Sequence, residues 1–205
     1  KVSSTLEGEF EASLVRIISA DPNPAGIGVV VEKIDSDFAG PYPARAQEFT
    51  PGSCMHAALA EGMTLPTEFS VFARIWPTRV VSGAQAVLSI GSGTAGTAFV
   101  LGLDEAGRPR VMARMTDGSW VEARLPGVVR ERQWAWLWAS FSQPSGELSV
   151  GYGGSDGHDS EYIRFDGTAS LTAETMGSIL VAASDPGERR MHFNGKVEAP
   201  TIYAV

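Results

Sequence analysis

Apolar and polar residues alternate with a period of two along much of this chain, the spacing of extended strand rather than of helix. Over residues 68–76, Phe69, Val71, Ala73 and Ile75 share one side, while Ser70, Phe72, Arg74 and Trp76 share the other. Runs at 14–18, 27–34, 84–90, 98–103, 110–115, 119–125, 162–165, 177–183 and 196–205 predict further strands. Between them stand clusters such as Asp21-Pro22-Asn23-Pro24, Asp104-Glu105-Ala106-Gly107, Asp117-Gly118 and Asp185-Pro186-Gly187-Glu188. Proline removes a ladder donor and glycine admits positive φ, so these clusters end strands and turn the chain. Residues 35–50 are rich in Pro, Gly and Asp and read as a long surface connection. The one helix-like piece is MHAALAEGM at 55–63, where Gly62 caps or breaks a helix and a strand fits equally well. Regularly spaced strands without amphipathic helices predict an all-β fold, either a sandwich of two antiparallel sheets or a barrel.

The strongest local signal is the hairpin at 132–152, RQWAWLWASFSQPSGELSVGY. In its first arm Trp134, Trp136 and Trp138 alternate with Ala135, Leu137, Ala139 and Phe141; Gln143-Pro144-Ser145-Gly146 supplies the turn. Both sides are apolar, so the arm is expected to be covered above and below, with the indoles packed between the sheets. A sugar-stacking platform is the competing reading of the same stripe.

Charge narrows the function classes. A net charge of −8 and a pI near 4.9, with the basic residues scattered, oppose binding to nucleic acid. No apolar run approaches the roughly 20 residues of a membrane-spanning helix, so no membrane partner is expected. Cys54 is the only cysteine and forms no intrachain disulfide, which favours the cytoplasm. The opening KVSSTLEG has no initiator Met and no leader. The chain is therefore read as a single sandwich domain over 1–205 excised from something longer, with 1–8 disordered.

Four stretches, LPTEFSVFARIWPT, VLSIGSGTAGTAFVLGLDEAGRPRV, ERQWAWLWASFSQPSGELSVGYGG and MHFNGKVEAPTIYA, follow one another in an order that resembles the concanavalin A-like, laminin-G-type jelly roll. The N-terminal part adds Arg16, the Asp21–Gly26 turn, Arg45 to Gln47 and Gly52-Ser53. That pattern resembles the segment before the jelly roll in the bacterial N,N-dimethylformamidase large-subunit family. The resemblance implies a non-catalytic module of an amidohydrolase, partnered by a downstream catalytic domain or other subunits. The catalytic residues of that family lie in a separate downstream domain, so none is carried over. A lectin-like module that binds carbohydrate through Trp76, Trp120, Trp134, Trp136 or Trp138 is the alternative.

Other candidates for chemistry fare less well. Gly91 to Gly96 matches G-x-G-x-x-G after an apolar strand. That fingerprint needs a helix to begin there, and the next residues alternate as strand, so a hairpin loop is expected. Ser155 to Glu161 holds four groups able to coordinate a cation, making calcium the one candidate cofactor. It lacks the spacing of a calcium loop, and a solvated turn is favoured. His56, His158 and His192 are too dispersed for zinc. Glu32 and Asp35, three apart, fall on opposite faces of a strand and are poorly placed as a glycosidase pair. No catalytic, cofactor-binding or metal-binding residue is assigned.

Overall fold

The computed structural model describes residues 2–47, 52–60, 65–92, 95–154, 157–171, 177–185 and 190–204. The chain forms two compact units, Lys1–Thr50 and Pro51–Val205.

In the first unit β1 (Glu9–Ala12) pairs with β4 (Gly40–Pro43), and β2 (Leu14–Ala20) pairs with β3 (Val29–Ile34). The turn after β2 is built as its composition requires. Asn23 N donates to Asp21 Oδ1 at 2.9 Å, and Gly26 N donates to Asn23 O at 2.9 Å. Residues 2–8, expected to be disordered, instead run beside 44–47: Gln47 N donates to Ser3 Oγ and Ala44 N to Gly8 O, both at 2.9 Å. Among the described residues, strands 1 to 4 pair only with each other. All sandwich strands therefore come from 51–205, a shorter span than the whole-chain domain read from the pattern.

The second unit is an antiparallel sandwich. Its strands are β5 (Met55–Ala58), β6 (Glu68–Pro77), β7 (Gln85–Ser92), β8 (Gly96–Leu103), β9 (Pro109–Arg114), β10 (Trp120–Arg124), β11 (Ala135–Ser142), β12 (Glu147–Gly154), β13 (Gly157–Arg164), β14 (Ser178–Val181) and β15 (Gly195–Ala204). One sheet has the order β10-β9-β8-β7-β14-β5 and the other β13-β12-β11-β6-β15. No described residue is helical. The ambiguous segment at 55–63 resolves as strand over Met55–Ala58, and 61–63 lie outside the described residues, as does most of the Asp185–Glu188 turn.

The core lies between these sheets. Along β6 and β11 the buried side chains face one another in register: Phe69 opposite Phe141, then small against large at Ala73 opposite Leu137 and Ile75 opposite Ala135. All six are at most 3% exposed. Phe69 reaches across to Phe99 of the other sheet, their ring centroids 5.3 Å apart. Pairing bulky with small residues lets the layers interdigitate without voids.

β7, and most of β8, are covered on both faces, but β11 is not. Every residue of β7 is buried, because the chain after β14 folds back over it. Ser89 Oγ donates to Ala183 O at 2.9 Å and Ala86 N to Met191 O at 2.7 Å. In β11 only alternate residues, beginning at Ala135, are buried. Two apolar sides in sequence thus do not mean two covered sides here.

Candidate functional site

The side of the five-stranded sheet turned away from the facing sheet carries the indoles. Strand register places the side chains of that face in rows: Tyr203, Ser70, Ser140, Ser149 and Tyr162 in one, then Thr201, Phe72, Trp138, Gly151 and Ser160. The next row is Glu198, Arg74, Trp136, Gly153 and His158, and Lys196 sits beside Trp76 at the end. Trp136 is 48% exposed and Trp134 and Trp138 are half-buried, so the stripe expected between the sheets lies outside them. The physical reason is Leu137, Ala139 and Phe141: they already fill the inner side, and period-two alternation sends the tryptophans the other way.

These residues line a cavity of about 1040 Å³ with Phe72, Arg74, His158, Thr201 and Tyr203. Aromatic contacts brace its walls. Trp76 meets Trp134 edge to face at 5.6 Å, and Phe72 meets Tyr203 the same way at 5.6 Å. The Arg74 guanidinium stacks 4.7 Å above the Trp134 ring and is paired with Glu198 at 2.9 Å. Lys196 lies 5.8 Å above Trp76. Cations over indole faces are favourable even when partly solvated.

Glycine makes the floor. Trp138 lies across its neighbour on β12, Gly151, and a Cβ there would fall inside the indole. Gly153, with a Cβ position 3.4 Å from both Trp138 and His158, leaves the next opening. Gly151→Ala is expected to push the Trp138 ring off the sheet at a cost of about 1–3 kcal/mol. Near-ultraviolet circular dichroism checks it: the tryptophan bands should change while the strand signal in the far ultraviolet stays.

Trp120 does not join this group. It sits on β10 of the other sheet, 41% exposed, at a separate cavity of about 400 Å³ that also includes Arg114 and Met112. The remaining sequence candidates are scattered. Gly91 to Gly96 spans the β7–β8 hairpin, where Gly96 has φ +75° and the chain enters a strand; residues 93–94 lie outside the described residues. Of the candidate calcium loop, 157–161 belong to strand β13 rather than to a turn, and 155–156 lie outside the described residues. Among the described residues no group of three or more His, Cys, Asp or Glu could hold a metal ion. Glu32 is exposed and engaged with Arg16 at 3.4 Å. Two carboxyls among the described residues, Asp104 and Asp117, are shifted. Burial pushes Asp104 up, but hydrogen bonds from Arg108 and Ala106 and the Arg108 charge outweigh it and bring it below its ordinary value. Hydrogen bonds from the Ser119 side chain and backbone lower Asp117. Neither faces the aromatic cavity.

Sequence reasoning missed Phe72, Arg74, His158, Thr201 and Tyr203, because they come from three other strands and meet only through register. One signal was available: Gly151 and Gly153 alternate along the arm opposite two tryptophans, which marks where a large ring lies over backbone.

The two facing antiparallel sheets define an all-β jelly-roll sandwich. Solved structures agree on the fold. The SAP-like pentraxin of Limulus polyphemus matches 74% of this chain and 72% of its own, with TM-score 0.53 and 14% identity. The CBM40 of Ruminococcus gnavus IT-sialidase matches 66% and 75%, with TM-score 0.54 and 19% identity. The LG1-3 region of the laminin α2 chain matches 74% and 30%, with TM-score 0.53 and 11% identity. In sequence the chain is similar to the N,N-dimethylformamidase beta subunit. The Alcaligenes sp protein is 30% identical over 96% of this chain, and that of Paracoccus aminophilus 28% identical over 98%. The chain spans 28% and 29% of the length of those two relatives. No family model matches it.

Proposed function

We propose that this chain is a non-catalytic β-sandwich module of a larger N,N-dimethylformamidase-like amidohydrolase, serving domain or subunit packing. One observation carries the reading: nearly the whole chain aligns to less than a third of a protein named as a subunit. The jelly roll gives such a module a rigid frame, and its shifted carboxyls serve turns rather than a cleft. The test is to supply the purified chain with N,N-dimethylformamide and measure dimethylamine. None is expected, and release above the uncatalysed rate, lost when the chain is heat-unfolded, refutes the non-catalytic role.

A second reading has its own support. A half-exposed Trp136 beside the half-buried Trp138 gives the flat apolar surface that a lectin-like module presents to sugar rings. Glycan-array binding that disappears in Trp136→Ala is expected under this reading. A blank array removes it.

A further inference from the structure

The first unit carries an apolar face that its own strand pairing leaves open. β2 and β3 form a two-stranded ribbon, and among the described residues they pair with no other strand. A lone ribbon of this kind is marginal in water unless one of its faces is covered. Register separates the two sides. Leu14 opposite Ile34, Arg16 opposite Glu32 and Ser19 opposite Val30 make one side, with the Arg16–Glu32 ion pair in its middle. Val15 opposite Lys33, Ile17 opposite Val31 and Ala20 opposite Val29 make the other. On that second side Val15, Ile17, Val29 and Val31 are 38%, 64%, 75% and 50% exposed. Ile18, the extra residue where the register shifts between Ile17 and Ser19, is 58% exposed beside them. Together they leave on the order of 400 Å² of apolar surface open, a size that marks a binding surface on a monomer.

Charge selects the occupant. The face carries one ionic group, Lys33, at the end away from the β2–β3 turn, and the turn at the other end begins with the acid Asp21. A two-fold axis between Ile17 and Val31 lays the face on its own copy and keeps the two lysines apart. It also brings each Lys33 to the end where the other copy has Asp21, so base meets acid twice. Flat rows of β-branched side chains interdigitate when sheets stack about 10 Å apart. Four strands in two layers then give each ribbon the cover that it lacks alone. With their rims the two faces bury about 1000 Å² in total, the lower bound for a specific interface, so the contact is weak and reversible.

We propose that the face formed by Val15, Ile17, Val29 and Val31 is a homodimer interface, occupied by the same face of a second copy of this chain. The proposal deepens the reading of the chain as a packing module, on which it rests, by naming the surface and the partner. Apolar burial holds the dimer together, and the Lys33–Asp21 pairs fix the direction in which one ribbon lies on the other.

The experiment is sedimentation velocity of the full chain from about 1 to 200 µM, where a monomer–dimer equilibrium with Kd on the order of 10 µM is expected. Val31→Lys should weaken the dimer at least about tenfold. Val30→Lys, one residue away and on the opposite face, should change it less than about twofold. Lys33→Glu, which sets an acid against Asp21, should weaken it about threefold. Far-ultraviolet circular dichroism matching wild type shows that each variant is folded, and all three positions are solvent-exposed, where substitution is tolerated. A monomer at every concentration overturns the proposal, and so does a dimer that Val31→Lys leaves intact or that Val30→Lys breaks equally. None of these outcomes touches the module reading, which the dimethylamine measurement decides by itself.

Discussion

Phe69→Ala is expected to destabilise the sandwich by about 3–5 kcal/mol, the range for emptying a buried phenylalanine site. Phe69 is 1% exposed and stands where the two sheets meet. Its ring lies 5.3 Å from Phe99 on the facing sheet and 5.4 Å from Phe141 on the neighbouring strand. Phe141 in turn stacks on Phe165 at 5.7 Å, so one truncation loosens the three rings that remain. Aromatic pairs contribute about 0.5–1.5 kcal/mol beyond the area they bury, which places this site toward the upper end. Urea unfolding checks it: the midpoint should fall while the slope holds, since the surface exposed on unfolding is almost unchanged. Phe69→Leu should cost less, about 1–2 kcal/mol, because most of the volume is kept. A loss below about 1 kcal/mol for the alanine variant would mean that the rings do not bridge the layers.

Asp104→Ala is expected to cost about 2–4 kcal/mol at neutral pH, because it strips two turn N–H groups and an arginine of their acceptor. The Asp104 side chain is 2% exposed. Its Oδ1 accepts from Ala106 N and Arg108 N, both at 2.9 Å, and its Oδ2 accepts from Arg108 Nε at 2.8 Å. This network fixes the β8–β9 turn. Burial alone raises the carboxyl, and the hydrogen bonds from Arg108 and Ala106 bring it below 3.8. A carboxyl lowered on folding stabilises fully above its unfolded value near 3.8, and that contribution is lost as pH falls through the folded value. The gap between wild type and Asp104→Asn, measured by urea unfolding, should therefore be widest at neutral pH and shrink below about pH 4. A gap that stays constant down to pH 3 contradicts the assignment.

Much of the fold was legible because period two is a strong signal wherever one side is polar. β6 reads directly, with Phe69, Val71, Ala73 and Ile75 buried as their spacing requires. The 143–146 turn is equally plain: Gly146 has φ +62°, and a Cβ there would press on Phe165 O. The face on which the tryptophans lie was not legible. Trp136 and Leu137 are both apolar, and sequence gives no rule for choosing which side of such a strand the opposite sheet covers. What decided it was volume: Leu137 and Ala139 match the small and large residues facing them on β6, and indoles in their place would overfill the layer. Cover on β7 escaped the sequence as well, since it comes from a chain segment about a hundred residues later. The partners of the tryptophans were hidden for the same reason, arriving from β6, β13 and β15 through register alone.

β11 presents one face to the core and turns the other, with its tryptophans, outward. Calorimetric melting of Leu137→Ala beside Trp136→Ala addresses this most directly, because the two positions are adjacent in sequence and opposite in role. Leu137→Ala, at about 3 kcal/mol, should lower the melting temperature by about 6–12 °C. Trp136→Ala should stay within about 2 °C of wild type. The reverse order, with the tryptophan variant melting far lower and the leucine variant nearly unchanged, would place the indoles in the core and contradict the account.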